Sequence, residues 1–196
     1  EYGRARQLLE LRESILSEFP IDERGHHALG TAVCRHFIRQ HSDRYARIQS
    51  VGPDLIAWAE ELKEWNVVCR LKLDLGTSFL NVGEGQKSIL HLKEGLAIAR
   101  KHRLPIVHAI LNRMCFVAGA IGKIDDSAMY ARESIHEAEV WGDINGVGYA
   151  YVNLSRTCSE RGQWELAEYH MEEARLRFER TGSRMGLADC FMKQGD

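Results

Sequence analysis

The sequence predicts an all-α protein in which helical hairpins stack side by side into an α-α superhelix, or solenoid. Ala, Leu, Glu and Arg are plentiful, and such a composition favours helix over strand. Glycines recur together with their surroundings about every 40 residues, which is typical of a repeat protein. The three prolines, Pro20, Pro53 and Pro105, fall in the connectors or at the first turns of the helices that this pattern defines, where proline is tolerated.

The repeat is clearest around three glycines. Gly83, Gly122 and Gly162 are separated by 39 and 40 residues, and each is followed five positions later by a small residue and seven positions after that by another. A glycine in the left-handed region ends one helix and reverses the chain. Small residues seven apart lie on one stripe of the next helix, where they allow close helix packing. These small residues are Ser88 and Gly95, Ser127 and Ser134, and Ala167 and Ala174.

Each unit is therefore predicted to consist of a helix A, a glycine turn and a helix B. We expect A helices at 25–41, 66–82, 106–121 and 145–161, with a shortened one from Arg184. We expect B helices at 4–19, 54–64, 86–103, 126–141 and 164–181. The corresponding units are helix B of a preceding repeat (1–24), a degenerate repeat (25–65), three full repeats (66–105, 106–144 and 145–183) and the start of a truncated one (184–196).

With these elements in place, the residues resemble those of the tetratricopeptide repeat (TPR) family. Its pattern has a bulky residue, Leu-Gly and an aromatic residue in helix A, glycine at the turn, and small, bulky and small residues in helix B. The period of about 40 is similar to that of the lengthened repeats of bacterial transcriptional and signalling regulators; HEAT and armadillo solenoids, which share this period, are the alternative. The three copies match at Lys72, Leu75, Gly76, Phe79, Gly83, Ser88, Leu92 and Gly95; at Leu111, Met114, Cys115, Ala118, Gly122, Ser127, Ala131 and Ser134; and at Tyr151, Leu154, Ser155, Cys158, Gly162, Ala167, Met171 and Ala174.

Composition and charge limit the possible partners and location. The net charge of -2 gives no electrostatic reason to expect binding to nucleic acid or to an anionic membrane, and no apolar run approaches the roughly 18 residues of a membrane-spanning helix. Five widely spaced cysteines favour a reducing, cytoplasmic compartment, with each thiol as a core residue. Because the chain begins at Glu1 without a Met, we expect it either to be a fragment of a larger protein or to lack its first residues.

No motif predicts catalysis, a cofactor or a metal site. His36 and His41 are five apart, so they do not share a helix face as a zinc-binding pair would. Gly146-Val147-Gly148 lacks the Gly-Lys-Ser/Thr ending of a phosphate-binding loop. We therefore expect a protein that is not an enzyme.

The family resemblance implies a concave groove lined by the A helices. Carrying the family's groove positions onto this sequence gives a mixed apolar and polar surface. In it, Arg70 and Arg156 are suited to pairing with a carboxylate, and Asn112 and Tyr149 to holding a peptide backbone. The candidate ligand-binding residues are Arg70, Leu73, Thr77, Asn81, Asn112, Phe116, Tyr149, Val152, Arg156 and Glu160.

The resemblance implies a protein-interaction module of a larger bacterial regulatory or signalling protein. Its partner would be a peptide, a partner domain or another copy of itself. The alternative is an effector-sensing domain that binds a small molecule in the concave groove. An enclosed pocket around the two arginines and Phe116 would favour the alternative, and an open groove that holds the terminus of another chain would favour the interaction module.

Overall fold

The structure is a computed structural model that describes residues 44–194, with side chains at 48–50 and 52–191. This range contains eight helices and no strand, as the sequence predicted, whereas the helices expected at 4–19 and 25–41 lie outside it. None of the described helices is both long and apolar enough to cross a membrane. The helices are α1 (Arg44–Glu61), α2 (Trp65–Asn81), α3 (Gly85–Lys101), α4 (Val107–Ala120), α5 (Ile124–Val140), α6 (Ile144–Glu160), α7 (Trp164–Thr181) and α8 (Arg184–Gln194).

Consecutive helices pack as hairpins, and the hairpins stack. The closest pairs are α2 with α3, α4 with α5, and α6 with α7, which are the predicted A and B helices of three repeats. Successive A helices (α2, α4, α6 and α8) also approach one another closely along their backbones, whereas the described B helices (α1, α3, α5 and α7) lie further apart and meet through long side chains, such as Arg100 of α3 and Glu133 of α5. The A helices therefore form the inner, closely spaced side of the stack and the B helices its outer side.

One residue with positive φ lies in each turn from α1 to α8. The three glycines at the A-to-B turns have φ values of 81°, 77° and 72°, so they adopt the left-handed conformation that the repeat pattern predicted. Gly142 and Gly182 serve the same purpose at two B-to-A turns. The other two B-to-A turns use Lys63 (φ 57°) and Arg103 (φ 52°), where a side chain makes this conformation less favourable.

The small residues of the repeat pattern lie where helices A and B meet. All six are buried, and their small size lets the two backbones approach closely enough for a side chain of one helix to reach the backbone of the other. Ser88 Oγ of α3 donates a hydrogen bond to the carbonyl of Gly76 in α2 at 2.6 Å. In the third repeat the direction is reversed, because Ser155 Oγ of helix A donates to the carbonyl of Ala167 in helix B at 2.7 Å.

Helix α1 differs from the prediction, which placed a helix at 54–64 with Pro53 at its first turn. The helix begins ten residues earlier, at Arg44, and Pro53 lies inside it. An internal proline removes one backbone hydrogen bond. Pro53 is on the exposed side, however, and the opposite side carries Ile48, Ile56 and Ala59 at helical spacing, all buried against α2. Burial of this continuous apolar stripe offsets the missing hydrogen bond.

Phe178 of α7 joins the last two A helices. Its side chain is fully buried, and its ring meets Tyr149 edge-on with centroids 4.9 Å apart. The Phe178 ring occupies the space that a side chain at position 148 or 186 would need. An ideal Cβ at Gly148 would lie 2.7 Å from the ring, and one at Gly186 would lie 2.3 Å from it. These two glycines therefore allow α6 and α8 to close over the ring.

Candidate binding surface

The inner side of α4 and α6 brings together three of the predicted groove residues. The Arg156 guanidinium carbon lies 4.2 Å from the centroid of the Phe116 ring, which is a cation–π arrangement. Arg156 Nε is also 3.8 Å from a carboxylate oxygen of Glu160, one helical turn further along α6. Phe116 keeps 39% of its surface exposed. The result is a partly exposed aromatic ring with a cation over one face and an anion one helical turn away.

The sequence provides room for this arrangement through Gly119, one turn after Phe116 on α4. An ideal Cβ at Gly119 would be 3.4 Å from Arg156 Nη2 and 3.6 Å from Glu160 Oε2. A methyl group at this position would be in ordinary contact with both groups, whereas a side chain longer than that of alanine would displace them. The glycine lets Arg156 lie flat across the surface of α4.

Two nitrogen atoms of the Arg156 guanidinium group have no hydrogen-bond acceptor among the described residues. Its Nε and Nη2 atoms are shielded from solvent, and neither makes a hydrogen bond to any described residue. Glu160 lies at ion-pair distance but beyond hydrogen-bond distance. An arginine edge of this kind can hold a carboxylate through two parallel hydrogen bonds.

An amide pair extends the polar surface towards the start of α6. Asn153 Nδ2 donates to Asn112 Oδ1 at 2.9 Å, and Asn112 Nδ2 lies 3.4 Å from the carbonyl of Gly146. Both asparagines are half-buried, so each is fixed in orientation while remaining accessible. Fixed amides on an accessible helix face can exchange hydrogen bonds with a peptide backbone.

Two residues of this surface, Asn153 and Arg113, were not predicted from the sequence. The Arg113 guanidinium carbon lies 5.9 Å from the Phe116 centroid. Each of the two directly follows a predicted residue, Val152 or Asn112. The repeat spacing of 39 and 40 places Asp74, Arg113 and Asn153 at one position of three successive A helices. A polar residue at the same position in three copies is the sequence feature that could have identified them.

Three of the predicted groove residues pack inward, and one of them, Leu73 of α2, lies against the core cluster to which α4 contributes. Val152 is only 6% exposed and belongs to a core cluster with Met171 and Phe178. Tyr149 is half-buried and lies against the Phe178 ring. Both side chains therefore face the joint between α6, α7 and α8, where they help to hold the helix that carries Arg156.

The remaining predicted residues lie on α2, on the inner side of the preceding repeat. Asn81 Nδ2 donates to the carbonyl of Thr77 at 2.8 Å, and Thr77 Oγ1 donates to that of Leu73 at 2.9 Å. Arg70 is exposed and lies 3.9 Å from Asp74. Because α4 stands between α2 and α6, which do not contact each other, the structure does not place Arg70 beside Arg156.

A buried polar layer supports the surface from below. Ser127 Oγ of α5 lies 2.9 Å from Thr157 Oγ1 of α6 and 3.3 Å from Cys115 Sγ of α4, so it links three helices. Burial raises the pKa of the Cys115 thiol, which keeps it in its neutral, unreactive form. Within residues 44–194, no group of three or more His, Cys, Asp or Glu side chains could hold a metal ion.

Comparison with solved structures shows the fold class of this arrangement. BtubC (BKLC) from P. vanneervenii is 14% identical, with a TM-score of 0.70 over 98% of this chain and 87% of that one. A protein from Podosopora anserina, described as a kinesin light chain with nearly identical TPR-like repeats, is 14% identical, with a TM-score of 0.56 over 93% of this chain and 90% of that one. A Rap protein complexed with Competence and Sporulation Factor is 14% identical, with a TM-score of 0.59 over 98% of this chain and 56% of that one.

These similarities confirm the prediction of TPR-type repeats: the fold is a TPR-like helical solenoid. No protein-family model matches the chain, and no curated protein matches it.

Proposed function

We propose that this chain is a protein-interaction module of a larger regulatory or signalling protein in the cytoplasm, and that it binds a peptide or a partner domain along the inner side of α2, α4 and α6. The observation that carries the proposal is the cluster of Phe116, Arg156 and Glu160 on that side. An exposed aromatic ring beside an arginine with unused hydrogen-bond donors is typical of the residues that dominate binding energy at protein interfaces.

The chemistry of the cluster indicates the kind of segment it would bind. Phe116 provides apolar contact, Arg156 favours a carboxylate, and the amide pair of Asn112 and Asn153 favours a polar main chain. A segment with an apolar side chain next to an acidic side chain or a free C-terminus would satisfy all three. The Rap protein of the same fold, whose structure contains Competence and Sporulation Factor, supports binding of a partner as a use of such a stack.

A small effector is the second candidate, and the shape of the surface favours it less. Phe116 and Arg156 stand on an open helix face rather than inside a closed pocket. A recess of about 250 Å³ does lie at the turn between α5 and α6, where Asp143, Arg177 and Arg180 contribute to its wall. The recess lies at this turn and is lined in part by α7, whereas Phe116 and Arg156 lie on the inner side of α4 and α6. The recess is therefore separate from the surface around Phe116.

The proposal is tested by selecting peptides from a random display library on the immobilised protein and measuring their affinity by calorimetry. Phe116→Ala and Arg156→Ala should each weaken binding about tenfold or more, the effect of losing a residue worth at least about 1.4 kcal/mol. Lys123→Ala, which removes an exposed cation in the turn between α4 and α5, is the control and should leave the affinity unchanged. Failure to enrich any peptide, or equal binding by all variants, would contradict the proposal.

A further inference from the structure

The outer side of the stack carries an apolar row that the fold does not cover. Leu90 of α3, Met129 of α5 and Tyr169 of α7 are 55%, 50% and 56% exposed. Their separations of 39 and 40 residues match the repeat, so they occupy one position of three successive B helices. Ser50 takes this position in α1, so the row begins at α3.

Further apolar side chains widen the row into a patch. Leu176 is seven residues after Tyr169, two turns along the same face of α7, and is 46% exposed. Val140 is eleven residues after Met129, three turns along α5, and is 66% exposed. Large exposed apolar side chains that recur on one face of three B helices are a feature that can mark an interaction surface.

Charge changes sign along this outer patch. The residue three positions after each member of the row is Lys93 in α3, Arg132 in α5 and Glu172 in α7. Over the whole helix, α3 has four basic residues and one acidic, whereas α7 has three basic and five acidic. The two ends of the row therefore complement each other, and a surface with complementary ends can bind a copy of itself in reversed order.

The ion pairs that the chain forms beside the outer patch do not prevent this patch from binding a second copy. On α5, the acidic Asp125 is already paired with Arg161 in the turn after α6, and Glu133 is paired with Arg100 of α3. On α7, Glu172 accepts hydrogen bonds from Arg175 within its own helix. Exposed pairs within one helix are weak, so this contact does not prevent Glu172 from meeting another cation.

We propose that this outer patch binds a second copy of the chain, with a two-fold axis passing near Met129. Around this axis, α5 of one copy faces α5 of the other, and α3 of each copy faces α7 of the other. Leu90 of one copy then faces the helix that carries Tyr169 in the other copy, and Lys93 faces the helix that carries Glu172. Three helices of about 25 Å, at a spacing of about 10 Å, offer on the order of 750 Å² per copy, close to what a standard protein interface uses. This self-association goes beyond the proposed function, because it uses the outer side and leaves the inner side free.

The test is the mass of the whole chain in solution, measured by sedimentation and light scattering over a wide concentration range. A dimer is expected, and Met129→Lys, which places two cations at the axis, should convert it to a monomer. Met185→Lys is the matched control, because Met185 is 72% exposed but lies on α8, outside the patch. Circular dichroism would verify that both variants keep their helix content.

A charge exchange makes the test specific for the arrangement of the two copies. Lys93→Glu and Glu172→Lys should each weaken the dimer about tenfold, and the double variant should recover most of the loss, because the same pair then forms with its signs exchanged. A monomer at every concentration would overturn the proposal. A dimer that Met129→Lys leaves intact, or that the double variant fails to restore, would overturn it equally.

Discussion

The substitution Gly148→Ala tests how the repeats are joined at their C-terminal end. Alanine is the better helix former, so at an open position this change would stabilise a helix by about 0.8–1 kcal/mol. At Gly148, however, the new methyl group would lie 2.7 Å from Phe178 Cε1, well inside the contact distance of two carbon atoms. Either the Phe178 ring or the backbone of α6 must move.

The surroundings of the ring determine the size of the effect. Phe178 is fully buried, Tyr149 packs against its edge, and Gly186 of α8 closes the other side, so the ring has little space into which it can retreat. Overpacking of a well-filled core costs about 1–3 kcal/mol. With the gain in helix propensity subtracted, Gly148→Ala should lower the free energy of unfolding by up to about 2 kcal/mol.

The assay is urea denaturation followed by circular dichroism, with a double-mutant cycle to isolate the contact. Phe178→Leu shortens the side chain, so Gly148→Ala should be clearly less harmful in that background, with a coupling of about 1 kcal/mol or more. Gly119→Ala is a control in α4, because its nearest contact would be an ordinary 3.4 Å. If Gly148→Ala proved stabilising in the wild-type background, the account of Phe178 as the contact that requires this glycine would be wrong.

Two further predictions concern turn strain and pH. Lys63→Gly and Arg103→Gly should each raise the free energy of unfolding by about 0.5–1 kcal/mol in the same assay, because glycine adopts their left-handed conformation without penalty; a loss of stability would contradict this. Burial lowers the pKa of His108 although Asp143 opposes the shift, so the folded protein binds this proton more weakly than the unfolded chain. Stability should therefore fall as the pH drops below about 6.5, and His108→Gln should reduce that fall, whereas an unchanged pH profile would contradict it.

The helical repeat could be predicted because its features are local in the sequence. A glycine that ends a helix and small residues seven apart determine a hairpin within a single unit, and the helices found at Trp65–Asn81 and Trp164–Thr181 lie at or within one residue of the expected positions. The early start of α1 was not predicted because a proline usually lies at the first turn of a helix, whereas Pro53 lies inside this one. The apolar stripe of α1 is stabilised only by packing on α2, and contacts between helices are not visible in a local pattern.

The candidate surface was predicted less well because it depends on which side of each helix faces inward. A difference of one residue rotates a position by about 100° around the helix. The predicted set therefore included Val152, which packs into the core, and omitted Asn153, which pairs with Asn112. Phe116, Arg156 and Glu160 were all chosen, but their contact depends on the space above Gly119 and on the spacing of α4 and α6, which arise only in the folded stack.

The same limit explains why the left-handed turns were only partly predicted. Where glycine occupies the turn, its presence in the sequence is sufficient evidence. At Lys63 and Arg103 the turn geometry is imposed by the packing of the flanking helices, and no residue type in the sequence indicates it. Tertiary contacts that hold a residue in an unfavourable conformation can be recognised only from the structure.

The central claim, that the inner side of the A helices is the binding surface, is tested most directly by hydrogen–deuterium exchange with and without a selected peptide. We predict that the peptide protects amides of α4 and α6, with little change in α3, α5 and α7. We also expect this protection to disappear with Arg156→Ala. Protection confined to the B helices, with α4 and α6 unchanged, would contradict the claim.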